Sequence, residues 1–142
     1  MKWTKGHYTI SDDPSDLDIS MINQFLTRTY WANGIDRETV QRSIEHSLSM
    51  GIFHNGAQVG FGRAVTDRAT FAYLADVFVL PEHRGQGLAK WLVECFLQHQ
   101  ELQGLRRWLL ATADAHGLYA QKGFVPLLEP GRFMEKNSRR ED

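Results

Sequence analysis

The sequence predicts one α/β domain built around a mixed sheet, and three observations carry that expectation. Apolar residues recur at helical spacing in two early segments and again after Gly87, whereas the stretches between them lose that period and are rich in aromatic and β-branched residues. Asn55-Gly56, which accepts the positive φ angles of a two-residue turn, joins two strand-like runs. A long apolar segment, Thr70 to Leu80, leads through a Gly-rich turn straight into an amphipathic helix. At 142 residues the chain is long enough to bury about 68–70% of its unfolded surface, so no staple of metal or disulfide is required.

The elements follow in order. His7 to Ile10 reads as a short strand, closed by Ser11, Asp12, Asp13 and Pro14. From Asp16, Met21, Ile22, Phe25, Leu26 and Tyr30 give a first helix ending near Asn33 and Gly34. Asp36 caps a second, in which Val40, Ile44 and Leu48 fall four apart and Glu38 favours the positive end of the dipole. Ile52 to His54 and Ala57 to Thr66 form a hairpin, and Thr70 to Leu80 a central strand stopped by Pro81. Leu88, Trp91, Leu92, Cys95 and Phe96 give a third helix one apolar face. Leu105 to Ala111 is a further strand, Asp114 caps a short helix running to Lys122, and Gly123 ends it. Val125 to Leu128 and Phe133 to Glu135 are expected as a closing hairpin, and residues 136–142, mostly charged, as a frayed tail.

Bulk properties exclude more than they assign. A formal net charge of -1 argues against a dedicated nucleic-acid binder, which carries a basic excess to meet phosphates. One cysteine, Cys95, permits neither an internal disulfide nor a multi-cysteine zinc site, and no metal is expected. No run approaches the length of a membrane span and the first residues lack the apolar core of a signal peptide, so the expected location is the cytoplasm.

The most informative stretch is Asp76 to Lys90, DVFVLPEHRGQGLAK. Unpaired N–H groups and the dipole at a helix start attract phosphate, Gly85 and Gly87 allow a close approach, and Arg84 adds a cation. The same glycines also suit a plain tight connection. The segment is neither a Walker loop, since Gly-Lys-Ser/Thr is missing, nor a G-x-G-x-x-G fingerprint, since Lys90 stands three after Gly87.

Arg84, Gly85, Gln86, Gly87, Leu88, Ala89 resembles the acetyl-CoA signature R/Q-x-x-G-x-G/A of the GNAT superfamily of N-acetyltransferases. Val77-Phe78-Val79-Leu80-Pro81 is similar to that family's V-x-P strand end, and Leu118 to Phe124, LYAQKGF, to its L-Y-x-x-x-G-F helix. The resemblance implies a mostly antiparallel mixed sheet flanked by helices, whose fourth and fifth strands splay apart. It further implies that acetyl-CoA is the acyl donor, with its pantetheine arm along Val77, Phe78 and Val79, an N–H near Phe78 polarising the thioester carbonyl, and the pyrophosphate at Gly85 to Lys90. The amine acceptor must attack as the neutral form. Tyr119 aligns with the tyrosine that protonates the departing thiolate, although an aromatic packing role explains it too. Thr112 stands where many members carry a cofactor-contacting Asn, a departure that weakens that contact.

Asp76 resembles the acidic residue in the E-D-F-F-V segment of diamine acetyltransferases, with Ala75 in place of the Glu. It is a candidate general base or binder of a cationic amine; the alternative is a structural aspartate bonded to nearby backbone. His116, three before Tyr119, can face the same site or simply the helix surface. The resemblance puts a small-molecule or peptide amine near the first two helices, where Tyr30, Trp31 and Asn33 are either pocket lining or core and cap residues. Arg63, Asp67 and Arg68 suit a charged acceptor or a solvated loop equally. A catalytically idle acyl-CoA sensor and an interaction domain without cofactor are the alternatives to an enzyme, and a homodimer is compatible with an exposed strand edge.

Overall fold

The structure, a computed structural model, describes residues 1–138; most of the expected tail, from residue 139 onward, lies outside the described residues. The chain divides into two compact units, Met1–Thr112 and a second starting at Ala113.

The first unit holds six strands, β1 (Lys2–Lys5), β2 (Tyr8–Ser11), β3 (Leu48–His54), β4 (Ala57–Thr66), β5 (Phe71–Val79) and β6 (Arg107–Leu110), and three α-helices, α1 (Ile19–Leu26), α2 (Arg37–Glu45) and α3 (Leu88–Gln98). Strands neighbour one another in chain order; every pairing is antiparallel except the parallel β5–β6 pair. This is the mixed, mostly antiparallel sheet that the sequence predicts. β1 escaped that reading because Lys-Trp-Thr-Lys shows no apolar alternation; it is an edge strand paired only with β2, and Trp3 alone of the four is not exposed.

Carboxylates start both early helices. Asp18 accepts from the Met21 N–H at 3.1 Å and Asp36 from the Thr39 N–H at 2.7 Å, each satisfying an amide the helix cannot. α1 is shorter than its apolar period suggests. The Thr29 hydroxyl donates to the Leu26 carbonyl at 2.7 Å, a local alternative to the helical ladder, and residues 27–35 fold back as a loop closed by Gly34 N–H to Thr27 O at 2.9 Å. Leu48 also departs from expectation. α2 stops at Glu45, and Leu48 opens β3 as a buried residue opposite Ala64, so its spacing from Ile44 is coincidental.

Two layers of helix cover the sheet. Ile22, Leu26, Val40 and Ile44 of α1 and α2 pack with Phe61 and Phe78 on one face. On the other, α3 approaches so closely that a β-carbon on Gly62 would stand 3.0 Å from Leu92 and 3.2 Å from Phe96. The hairpin signal holds, with Asn55 at φ 50° and Gly56 at φ 86° linking β3 to β4.

The second unit contains α4 (His116–Ala120). Its N-cap is Ala115, with no side-chain capping bond, rather than Asp114. Gly123, at φ 91°, ends the helical turn as expected. The closing hairpin does not form: among the described residues, this region has a 3-10 turn at Pro130–Arg132 and no strand. Pro126 lacks the N–H a ladder needs, and Leu128 and Met134 are exposed rather than paired against a sheet. Among the described residues, no helix is long and apolar enough to cross a membrane.

Candidate active site

β5 changes its stride at Asp76. Arg63 pairs with Ala75 and Phe61 with Phe78, so Asp76 and Val77 together face Gly62, and Asp76 takes φ 57°. That is a β-bulge, with a short polar residue in the left-handed region where Asp is better tolerated than most. Pairing on the other side ends early: β6 meets β5 only from Phe71↔Arg107 to Leu74↔Leu110. Past Leu74, β5 is paired with β4 alone, and this parting of β5 from β6 is the splay expected of the fourth and fifth strands, renumbered by the unpredicted β1. Val77, Phe78 and Val79 lie along the opened stretch.

Beyond β5, a 3-10 turn at Pro81–His83 leads to Arg84, Gly85, Gln86 and the start of α3. Arg84 Nε donates to the Val79 carbonyl at 2.9 Å, tying the loop to the strand. Gly85 and Gly87 adopt φ 82° and 77°, and a β-carbon on either would meet nothing within 4 Å. Glycine is therefore required here by backbone conformation, while the space in front of both stays open. The first intrahelical bond runs from Trp91 N–H to Gly87 O, and no side chain caps the helix, so the N–H groups of Leu88, Ala89 and Lys90 precede the ladder. This donor set, with Arg84 beside it, fits a pyrophosphate.

A residue far back in the chain supports the loop. The Tyr8 hydroxyl on β2 lies 2.9 Å from His83 Nδ1 and donates to Gln86 Oε1 at 3.3 Å, with the His54 ring tilted against both rings.

Asp76 is a structural ion-pair partner, not a free carboxylate. Its Oδ2 accepts from Arg63 Nε at 2.7 Å and its Oδ1 from Trp31 Nε1 at 2.9 Å; Arg63 Nη1 also donates to Ser47 Oγ at 3.1 Å. The partners are side chains, where the sequence suggested backbone. Trp31 is joined to Asp76, while Tyr30 stands edge-on to Trp31 with centroids 5.1 Å apart. Arg63 belongs to this cluster, whereas Asp67 and Arg68 shape the β4–β5 turn, where Asp67 accepts from the Ala69, Thr70 and Phe71 amides.

Thr112 ends the first unit, half-buried. In the second, Tyr119 is buried on α4, its ring 5.8 Å from Phe124, and its carbonyl accepts from the Lys122 and Phe124 amides. Burial, and next the negative charge of Asp114, raise its hydroxyl above the usual phenol range. His116 opens the same helix and is exposed.

The chain has clear relatives in sequence and in structure. The sequence pattern of the "Acetyltransferase (GNAT) family" matches residues 17–124. A Gibberella zeae protein designated a candidate acetyltransferase is 32% identical, over 84% of this chain and 79% of its own. A crystal structure of a Xanthomonas campestris protein assigned to the GNAT family superposes with TM-score 0.90 at 54% identity, covering 92% of this chain and 93% of that one. A Clostridium acetobutylicum protein solved with acetyl-CoA shares the fold at TM-score 0.66 and 16% identity, over 92% of this chain and 94% of its own. With the bulged, half-unpaired strand running into a glycine-opened helix start, these matches establish that the chain belongs to the GNAT family of acetyltransferases.

Proposed function

We propose that the protein transfers an acetyl group from acetyl-CoA to a primary amine of a small molecule or peptide by direct attack. The observation that carries the reading is the continuity of three features: β5 leaves β6 after Leu74, passes the bulge at Asp76, and delivers the chain to an uncapped helix start at Gly87. An extended pantetheine arm suits the unpaired side of Val77 to Val79, because a peptide-like chain adds to a strand through its backbone groups. Gly85 to Lys90 would take the pyrophosphate, with Arg84 close by.

Acetyl-CoA, when bound, supplies the acyl group as an activated thioester. An N–H near Phe78 would meet the carbonyl oxygen as it gains negative charge; losing one donor of this kind typically costs about 2.7–4 kcal/mol of barrier. The neutral amine forms the C–N bond as the C–S bond breaks, Tyr119 gives its hydroxyl proton to the departing thiolate, and the amine's surplus proton passes to solvent. A raised phenol keeps its proton across the working range and so remains a donor. The reading is tested by calorimetric titration of acetyl-CoA and by thiol release with polyamines, amino acids, aminoglycosides and peptides. Binding with amine-dependent thiol release supports an enzyme; binding without release from any amine supports the idle sensor; no binding at millimolar cofactor rejects both.

A further inference from the structure

The carboxylate that lies beside the pantetheine strand is already spent. Asp76 is only 9% exposed at its side chain; one oxygen takes Arg63, itself 20% exposed, and the other takes the indole N–H of Trp31. The Arg63 charge balances that of Asp76, and a cationic amine would have to displace a guanidinium bonded at 2.7 Å. Trp31, by contrast, offers its ring: it remains 45% exposed although its polar edge is fixed. The loop beneath it is internally bonded as well, through Ala32 N–H to Thr29 Oγ1 at 3.1 Å and Asn23 Nδ2 to Ile35 O at 3.0 Å. An aromatic face held open in one orientation costs little further entropy when something packs on it.

We propose that Asp76 is a positioning residue which, together with Arg63, fixes Trp31 as the aromatic wall of the acceptor site, and that the acceptor is an amine bearing an apolar or ring-shaped group rather than a polycation. The inference rests on the acetyl-transfer reading of the same site. Asp76 takes no proton from the amine, and its side chain acts through Trp31.

The test uses the full-length protein, acetyl-CoA, and two probe acceptors, a phenylalkyl monoamine and a linear triamine. The wild type is expected to favour the monoamine in kcat/KM. Trp31→Phe keeps a ring but loses the N–H, and is expected to raise the monoamine KM about three- to tenfold while the acetyl-CoA KM and kcat hold within about twofold. Asp76→Asn is expected to do the same and to leave the acidic limb of the kcat/KM pH profile in place. A preference for the triamine, an unchanged monoamine KM in Trp31→Phe, or an Asp76→Asn protein that loses kcat and its acidic limb would each overturn the proposal. A readout independent of turnover is the emission of Trp31, obtained as the difference between wild type and Trp31→Phe. In an Asp76→Asn background it should shift to the red and become more open to acrylamide quenching, and identical emission and quenching would refute the positioning role. Absence of acetyl-CoA binding, in turn, strikes the acetyl-transfer reading itself, while the emission result still decides whether Asp76 holds Trp31.

Discussion

The ring of Phe25 on α1 stacks face to face on that of Phe78 on β5, with centroids 3.9 Å apart and planes 9° from parallel. Phe78 also meets Phe61 at 6.0 Å, so one side chain joins the first helix, the sheet core and the strand proposed to hold the cofactor. Phe25→Ala is expected to cost about 3 kcal/mol of stability through lost burial and a lost ring pair. Urea unfolding checks this: the midpoint should fall while the slope is retained.

The contact of Tyr8 with His83 and Gln86 predicts a defect confined to the donor. Tyr8→Phe retains the ring packing against His54 and removes only the hydroxyl. The acetyl-CoA KM should rise about threefold, as expected for a lost hydrogen bond that positions rather than reacts. Steady-state kinetics at saturating acceptor would show it, with kcat unchanged.

Gly87 separates conformational strain from steric block. Its φ of 77° with open space around it means that Gly87→Ala meets no wall but must occupy the left-handed region, a cost of about 1–2 kcal/mol. Weaker acetyl-CoA binding by calorimetry should accompany a lowered melting temperature. Tight binding with undiminished stability would show that the loop does not need this geometry.

Tyr119 carries a pH signature. Its hydroxyl is raised by burial and by Asp114, so the protonated, donating form persists up to and beyond about pH 10 and is lost as pH climbs through the raised value. The stability linked to this group has the same sign: it is present below the unfolded phenol value and disappears at higher pH. Tyr119→Phe should lower kcat about 10²–10³-fold and abolish the alkaline limb. Asp114→Asn should move that limb to lower pH, because a raising charge has gone.

Local chemistry was readable wherever one short segment decided the outcome. Asn55-Gly56 marked the hairpin and Asp36 the start of α2, and the apolar face after Gly87 gave α3 within a residue or two. Leu48 failed because a four-residue spacing is shared by a helix and by chance, and the strand won by burying it opposite Ala64. The hairpin after Gly123 failed because alternation at Val125 to Leu128 ignored the prolines. At the site, the glycines and the Val77 to Pro81 stretch marked the segment where an unpaired strand end runs into an uncapped helix start. The Asp76 clasp did not announce itself: its partners are 13 and 45 residues away, and Tyr8 is 75 residues from His83, distances at which periodicity is silent. An acidic residue within an apolar strand was the available sign that something unusual occurred there.

The bulge at Asp76 also acts as a parity device. Ala75 shares a face with Arg63 and Phe78 shares that same face with Phe61, although an ordinary strand would put residues three apart on opposite sides. Drawing Asp76 into the ladder as an ordinary paired residue opposite Gly62 would restore regular alternation and thereby invert everything downstream. Phe78 would turn to the α3 layer, Val77 would inherit its place opposite α1, and the Phe25 stack would be lost. The one residue that looks superfluous to the ladder thus keeps the two halves of β5 in different reading frames of the same sheet.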